Sequence, residues 1–144
     1  MMRALFRKLA RLTTETRGAA AVEFALVAPF LGALVVGVAQ YGGMVIAYEQ
    51  MHDAVETGAM YIERGGSTMA TAQDISLGAW ANKPTDAAVT ATHYCTCAGV
   101  TSTCSSLCPD STYPLAYTQI VASGTYTGLY ANQSMSTTHV VRTQ

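Results

Sequence analysis

The sequence predicts an α+β protein in which a long N-terminal helix crosses a membrane. That helix then continues into a small head with a second helix and a short antiparallel sheet. Three observations carry this expectation. From Phe24 to Tyr48 no residue is charged, a run of 25 positions. Apolar residues then recur at three- and four-residue steps from Met44 to Ile62, the period of a helix with one buried face. From Thr85 to Gln144 the composition changes again: 20 of 60 residues are Ser or Thr and only Asp86, Asp110 and Arg142 are charged.

The uncharged run is long enough to span a bilayer, which needs about 20 apolar residues in a helix. It is apolar on all sides, unlike a helix that lies on a soluble surface. Charge sets its direction. Residues 1–18 carry a net +4 and residues 19–144 a net −5, so the positive-inside rule places the N-terminus in the cytoplasm and the head across the membrane. Tyr41 and Tyr48 fit an aromatic belt at the far interface. Two residues are unusual for a plain anchor. Glu23 stands at the threshold of the apolar run, and Pro29, inside it, removes a backbone donor and is expected to kink or loosen the helix near Ala25.

The string RGAAAVEFALVAPFLGALVVGVAQYG, Arg17 to Gly42, resembles the N-terminus of the TadE-like proteins of the tight-adherence (Tad, or Flp) pilus system. More broadly it is similar to type IV prepilins and pseudopilins. The resemblance implies a basic leader, residues 1–18, removed by a membrane-embedded prepilin peptidase between Gly18 and Ala19. Glu23 then becomes the fifth residue of the mature chain and Phe24 the aromatic beside it, the pair implied in subunit assembly. The family's proline recurs as Pro29. Its acidic-aromatic-glycine step appears as Gln40-Tyr41-Gly42, without the acid. The implied setting is a bacterial inner membrane with a periplasmic head. The implied partners are the peptidase, other pilin or pseudopilin subunits and the Tad assembly platform. The glutamate also has a reason of its own: a neighbouring subunit's Glu23 can pair with the Ala19 amine at the edge of the bilayer, and such a pair is favourable there only when both charges are present.

Two rivals compete with this reading. In one the chain is an uncleaved, bitopic membrane-anchored adaptor or binding protein. In the other, Gly37-Val38-Ala39 is a signal-peptide cleavage site before Gln40, although the apolar stretch outruns the 7–15 residues of an h-region.

The expected organisation is a leader over 1–18, a span over 19–45 and a head over 46–144, with helices at 46–64 and 68–82 and a β-rich part at 85–144. Gly42-Gly43 is a candidate hinge. Arg64-Gly65-Gly66 is a helix stop and Ser67 a cap for the second helix. Ala87–Tyr94, Leu115–Ser123, Thr125–Tyr130 and His139–Arg142 are expected strands, the middle two separated at Gly124.

Cys95, Cys97, Cys104 and Cys108 are the whole cysteine complement. In an oxidising compartment they predict two disulfides with three possible connectivities. Nested bridges, Cys95–Cys108 and Cys97–Cys104, suit two arms folding back on each other. A four-thiolate zinc site is the competing use, with a C-x-C spacing tighter than the usual knuckle. Glu49-x-x-His52, beside Asp53 and Glu56, has the spacing of a di-iron unit but occurs once, where a bundle site needs two copies. His93 and His139 have no nucleophile near them in sequence. The expectation is therefore no catalytic residue, metal, cofactor, small-molecule substrate or nucleic acid. The low share of charged residues, 12%, also argues against a basic nucleic-acid binder.

Overall fold

The computed structural model describes residues 16–143. The elements, in order, are helix α1 (Thr16–Glu63), helix α2 (Met69–Ala79) and strands β1 (Ala88–Cys97), β2 (Val100–Ser102), β3 (Leu115–Thr127) and β4 (Asn132–Arg142). The strands form one antiparallel sheet in the order β2-β1-β3-β4. The fold is α+β with one candidate membrane span. By compactness the chain divides into two units at Ala39/Gln40. In the first, the described residues are all helical and nearly all exposed, including Val22, Phe24, Leu26, Phe30, Leu34 and Val38. Every backbone donor and acceptor in a helix interior is satisfied within the segment, which is what lipid demands of an apolar span.

The second unit is the head. Along the C-terminal part of α1, Met51, Ala54, Val55, Ala59 and Ile62 are all buried, the i, i+3, i+4 spacing read from the sequence. They meet Ala72 of α2, Trp80 and the inward face of the sheet: Val89 and Ala91 of β1, Ile120 and Ala122 of β3, Met135 and Val141 of β4. Strand residues alternate between this core and the opposite face. The opposite face carries Thr90, Thr92, Thr96, Ser123, Ser136 and Thr138, with Arg142 as its one charged residue, so a β-rich segment with few charges is solvated mainly by hydroxyls. Tyr94 and Tyr117 stand directly opposite one another there, their rings stacked with centroids 5.5 Å apart, a cross-strand pair of the kind that stabilises an antiparallel ladder.

The stop at Arg64-Gly65-Gly66 is a Schellman motif. The Gly66 N–H donates to Tyr61 O and the Gly65 N–H to Ile62 O, both at 3.0 Å, and Gly65 has φ +92°, the left-handed conformation that glycine enters without a Cβ penalty.

Four expectations need correction. Gly42-Gly43 does not break the helix: α1 runs through it, as it does through Pro29. Gly43 instead lies under the Tyr126 hydroxyl, where a Cβ would collide. The N-cap of α2 is Thr68, not Ser67, and its side chain makes no capping hydrogen bond. Gly124 does not divide two strands, because β3 is continuous across it. It sits at an inward position, and a side chain there would come within 2.7 Å of Pro84 and 3.3 Å of Trp80. The glycine is a close-approach residue in a strand, one of the uses glycine has there. Finally, β2 was not foreseen and β4 begins at Asn132 rather than near His139.

Gly58 is the tightest point between the helices. A Cβ there would meet Ser76 Oγ and lie 2.9 Å from the Ala72 carbonyl oxygen, while Ser76 is fully buried and its hydroxyl has no hydrogen-bond partner. Gly58→Ala should therefore destabilise the head by about 1–3 kcal/mol, the usual cost of overpacking. Ser76→Ala should be neutral or mildly stabilising, since it removes an unpaired buried hydroxyl. Denaturant unfolding of both variants checks the pair, and a fully stable Gly58→Ala would contradict the packing.

Candidate functional site

Residues 1–15 of the expected leader lie outside the described residues. The expected processing position itself is described. Gly18 is exposed near the start of α1, and among the described residues no heavy atom lies within 4 Å of where its Cβ would stand. Ala19 and Glu23 are also exposed. Their i, i+4 spacing places them one above the other on one face of the helix. Phe24, next in the chain, is 69% exposed. The helix keeps these four residues in fixed angular relation and covers none of them. Cleavage after Gly18 would make Ala19 the first residue of a helix, where four backbone N–H groups lack intrahelical acceptors and a negative charge in the first turn is stabilising.

The four cysteines form two disulfides, Cys95–Cys104 and Cys97–Cys108. The bridges are interlaced, not nested, and the reason lies in the hairpin that the sequence did not reveal. The chain reverses at Ala98-Gly99, both with positive φ (50° and 82°), the backbone signature of a two-residue type I′ loop. Pairing then runs Cys97↔Val100 and Cys95↔Ser102. A chain leaving β2 therefore carries Cys104 past the level of Cys95 and away from Cys97. Only after the loop turns back does Cys108 return to Cys97. A hydrogen-bonded turn holds that return: the Ser111 N–H donates to Cys108 O (2.8 Å) and the Cys108 N–H to Thr112 O (2.9 Å). Within it, Asp110 Oδ1 accepts from the Thr112 hydroxyl (2.7 Å) and the Thr112 N–H (3.1 Å). These two bonds, the hydroxyl's first, hold the Asp110 carboxyl below its ordinary value. Asp86 is lowered in the same direction by Thr125, first by its hydroxyl and then by its backbone N–H, which donates at 3.1 Å.

The remaining candidates are not brought together. His52 Nδ1 lies 3.3 Å from Thr137 Oγ1 on β4, while Glu49, Asp53 and Glu56 are exposed. The Glu-x-x-His spacing thus resolves into a packing histidine and a solvated acidic face. His93 stands beside Cys95 and Cys104, but both sulfurs are spent in a disulfide and offer no thiolate. His139 is half-buried on β4. Near His93, between the α1–α2 turn and β3, lies an open cleft of about 650 Å³. Thr118 lines it with a fully buried hydroxyl that has no hydrogen-bond partner.

Gln40 is a residue whose role sequence reasoning missed. Its Oε1 accepts the Leu129 N–H at 2.6 Å and its Nε2 donates to Ala131 O at 3.3 Å, so one side chain clasps both arms of the β3–β4 turn. The signal was present as a lone amide in an otherwise apolar run. Its long-range partner, 89 residues away in the chain, left no trace in the local pattern.

Two measurements check this region. Mass mapping of unreduced, unfolded protein should find no free thiol and the links 95–104 and 97–108. Replacing Cys97 and Cys108 together by Ser should cost about 3 kcal/mol by loss of loop-closure entropy. For the carboxylates the sign follows from lowered folded-state values. Their contribution is complete above the unfolded aspartate value of about 3.9 and is lost as pH falls through the lower folded values. Asp110→Asn should accordingly flatten the acid limb of the stability profile and leave no added pH dependence near neutrality.

Residues 18–60 match a family model described as TadE-like protein. The match begins at Gly18, takes in Glu23, Phe24, Pro29 and Gln40, and ends within the buried part of α1. No curated protein and no solved structure matches the chain.

Proposed function

We propose that the protein is a TadE-like pseudopilin or minor pilin, matured by a prepilin peptidase between Gly18 and Ala19, that assists assembly or initiation of a Tad pilus. The observation that carries this reading is the Gly18–Glu23 spacing inside the family match, set on exposed residues of a helix that leads into an apolar span. The leader side is basic, so the N-terminus faces the cytoplasm and the head lies in the periplasm, where disulfides persist. The partners are the peptidase, other pilin or pseudopilin subunits and the Tad assembly platform. The protein performs no catalysis in this role.

The mechanism follows from charge and position. Before cleavage the leader's basic residues hold the chain in the inner leaflet. Cleavage removes them and creates a cationic amine on Ala19 at the bilayer edge. A neighbour's Glu23 neutralises it, and because each charge is costly alone in a low-dielectric setting, the pair fixes the stagger between subunits. Phe24 then packs beside the pair. Loss of one partner from a buried pair costs about 3–5 kcal/mol, enough to stop assembly without unfolding either subunit.

Two variants test the reading. Gly18→Ala meets no steric obstacle among the described residues, so accumulation of full-length precursor would locate its effect in recognition by the peptidase. Normal processing of that variant would count against the assignment. Glu23→Gln should insert at least as well as the parent, since it removes a charge near the span, and should abolish or reduce piliation at unchanged membrane abundance. Equal loss of abundance and piliation would make Glu23 a stability residue, and loss of neither would leave it without an assembly role.

A further inference from the structure

The β3–β4 turn, Gly128 to Ala131, carries two large side chains in the open: Leu129 is 70% exposed and Tyr130 is 76% exposed. Neither contributes to the head's core. The turn is held at one level of α1 by Gln40, which bonds the Leu129 N–H and the Ala131 carbonyl. Gly128 lies directly against the same side chain, where a Cβ would collide with the Gln40 amide. Gln40 belongs to the uncharged run that begins at Phe24. Counting the roughly 20 residues that a bilayer core requires from Phe24 places its far edge near Gly43, so Gln40 lies about one turn inside it. The α1 side chains that flank this level, Tyr41 (70% exposed) and Val45 (57%), are also apolar or aromatic and open.

We propose that Leu129 and Tyr130 form a second membrane contact, the turn dipping into the interfacial layer of the outer face of the bilayer beside the point where α1 leaves it. Four features of the chain fit a lipid occupant. The turn is bonded to Gln40, a residue of the uncharged run, so its exposed Leu129 and Tyr130 stand at the level of the exposed Tyr41 of the same helix. Leucine supplies apolar area, and tyrosine, with an apolar ring and a polar tip, is the side chain enriched at headgroup level. No residue from Ser111 to Val141 is charged, so bringing the turn to the interface strips no ion of water. And Gln40, a polar amide at a depth where unsatisfied groups are expensive, has both ends bonded to the turn's backbone. The glutamine is thereby distinguished from an acid at the same position: an ionised carboxylate could accept from Leu129 but could not donate to Ala131. The contact gives the head two points of attachment, a helix and a turn, and restricts its rotation about the helix axis.

This inference rests on the reading of Phe24–Val45 as a span, and the experiment separates the two. Full-length protein carrying Tyr130→Trp is reconstituted into phosphatidylcholine/phosphatidylglycerol vesicles, with or without brominated acyl chains. The parent provides the baseline, because its single tryptophan, Trp80, is 4% exposed inside the head. Flotation of both proteins with the vesicles is scored first; failure to float overturns the span and the proposal together. With flotation intact, the expected result is a blue-shifted additional emission that brominated lipid quenches and aqueous iodide does not, while the parent's emission is unaffected by bromine. A red-shifted, iodide-quenched signal would overturn the proposal and leave the span standing. So would emission that neither agent quenches and that depends on the protein-to-lipid ratio, which would assign the turn to a contact with a second copy.

Discussion

The head depends on α1 being one continuous helix whose two parts meet different surroundings. From Gly18 to Ala39 nearly all of its side chains are exposed, and apolar residues occupy every side. From Met51 to Ile62 the same helix offers a single stripe to a sheet and a second helix. A helix satisfies its own backbone in either setting, so what changes along the chain is only which side chains are covered. The core therefore starts from an element that is already ordered. This explains how a head of roughly 100 residues forms around a small cluster of apolar side chains, with two disulfides restraining the loop after β2, in keeping with the staples that small domains use.

Small residues set the closeness of that packing. Gly58 admits Ser76 and the Ala72 carbonyl between the helices, and Gly124 admits Trp80 and Pro84 against the sheet. Both glycines are in the interior of regular elements, where glycine costs conformational entropy relative to alanine. The close approach each allows offsets that cost. Ser76 and Thr118 keep buried hydroxyls without partners, a polar residue in an otherwise apolar interior. Thr118 opens toward the cleft near His93; Ser76 is enclosed by α1.

Much of this was legible in the sequence because it is encoded locally. The uncharged run, the three- and four-residue period from Met44 to Ile62, the Arg64-Gly65-Gly66 stop and the Gly18–Glu23 spacing each depend on residues within a turn or two. The rest was not legible because it is encoded by contacts distant in sequence. Gly124 resembles a strand break until Trp80 and Pro84 are seen against it. The three-residue β2 has too few positions to show alternation, and its Ala98-Gly99 reversal lacks the Asn-Gly or Asp-Gly pair that marks such a turn. Without that hairpin the cysteines could not be paired, and the nested arrangement was the natural choice for two arms of unknown register. Gln40 was visible only as a departure from an acidic residue; its bonds to Leu129 and Ala131 give the departure a physical meaning. The N-terminal features and the head thus differ in kind: the first are a linear signal on an exposed helix, the second a structure assembled across the chain.

The functional account turns on the helix N-terminus becoming a charged, paired end only after the basic leader is gone. Everything proposed for Glu23 requires a free amine at Ala19, four residues before it. The most direct measurement is the N-terminal residue of the protein extracted from membranes of cells that carry the complete pilus system, by mass spectrometry of the intact chain and its N-terminal peptide. The account predicts a mature chain beginning at Ala19. A chain retaining Met1 would contradict it in favour of an uncleaved anchor, and one beginning at Gln40 would contradict it in favour of a signal peptide.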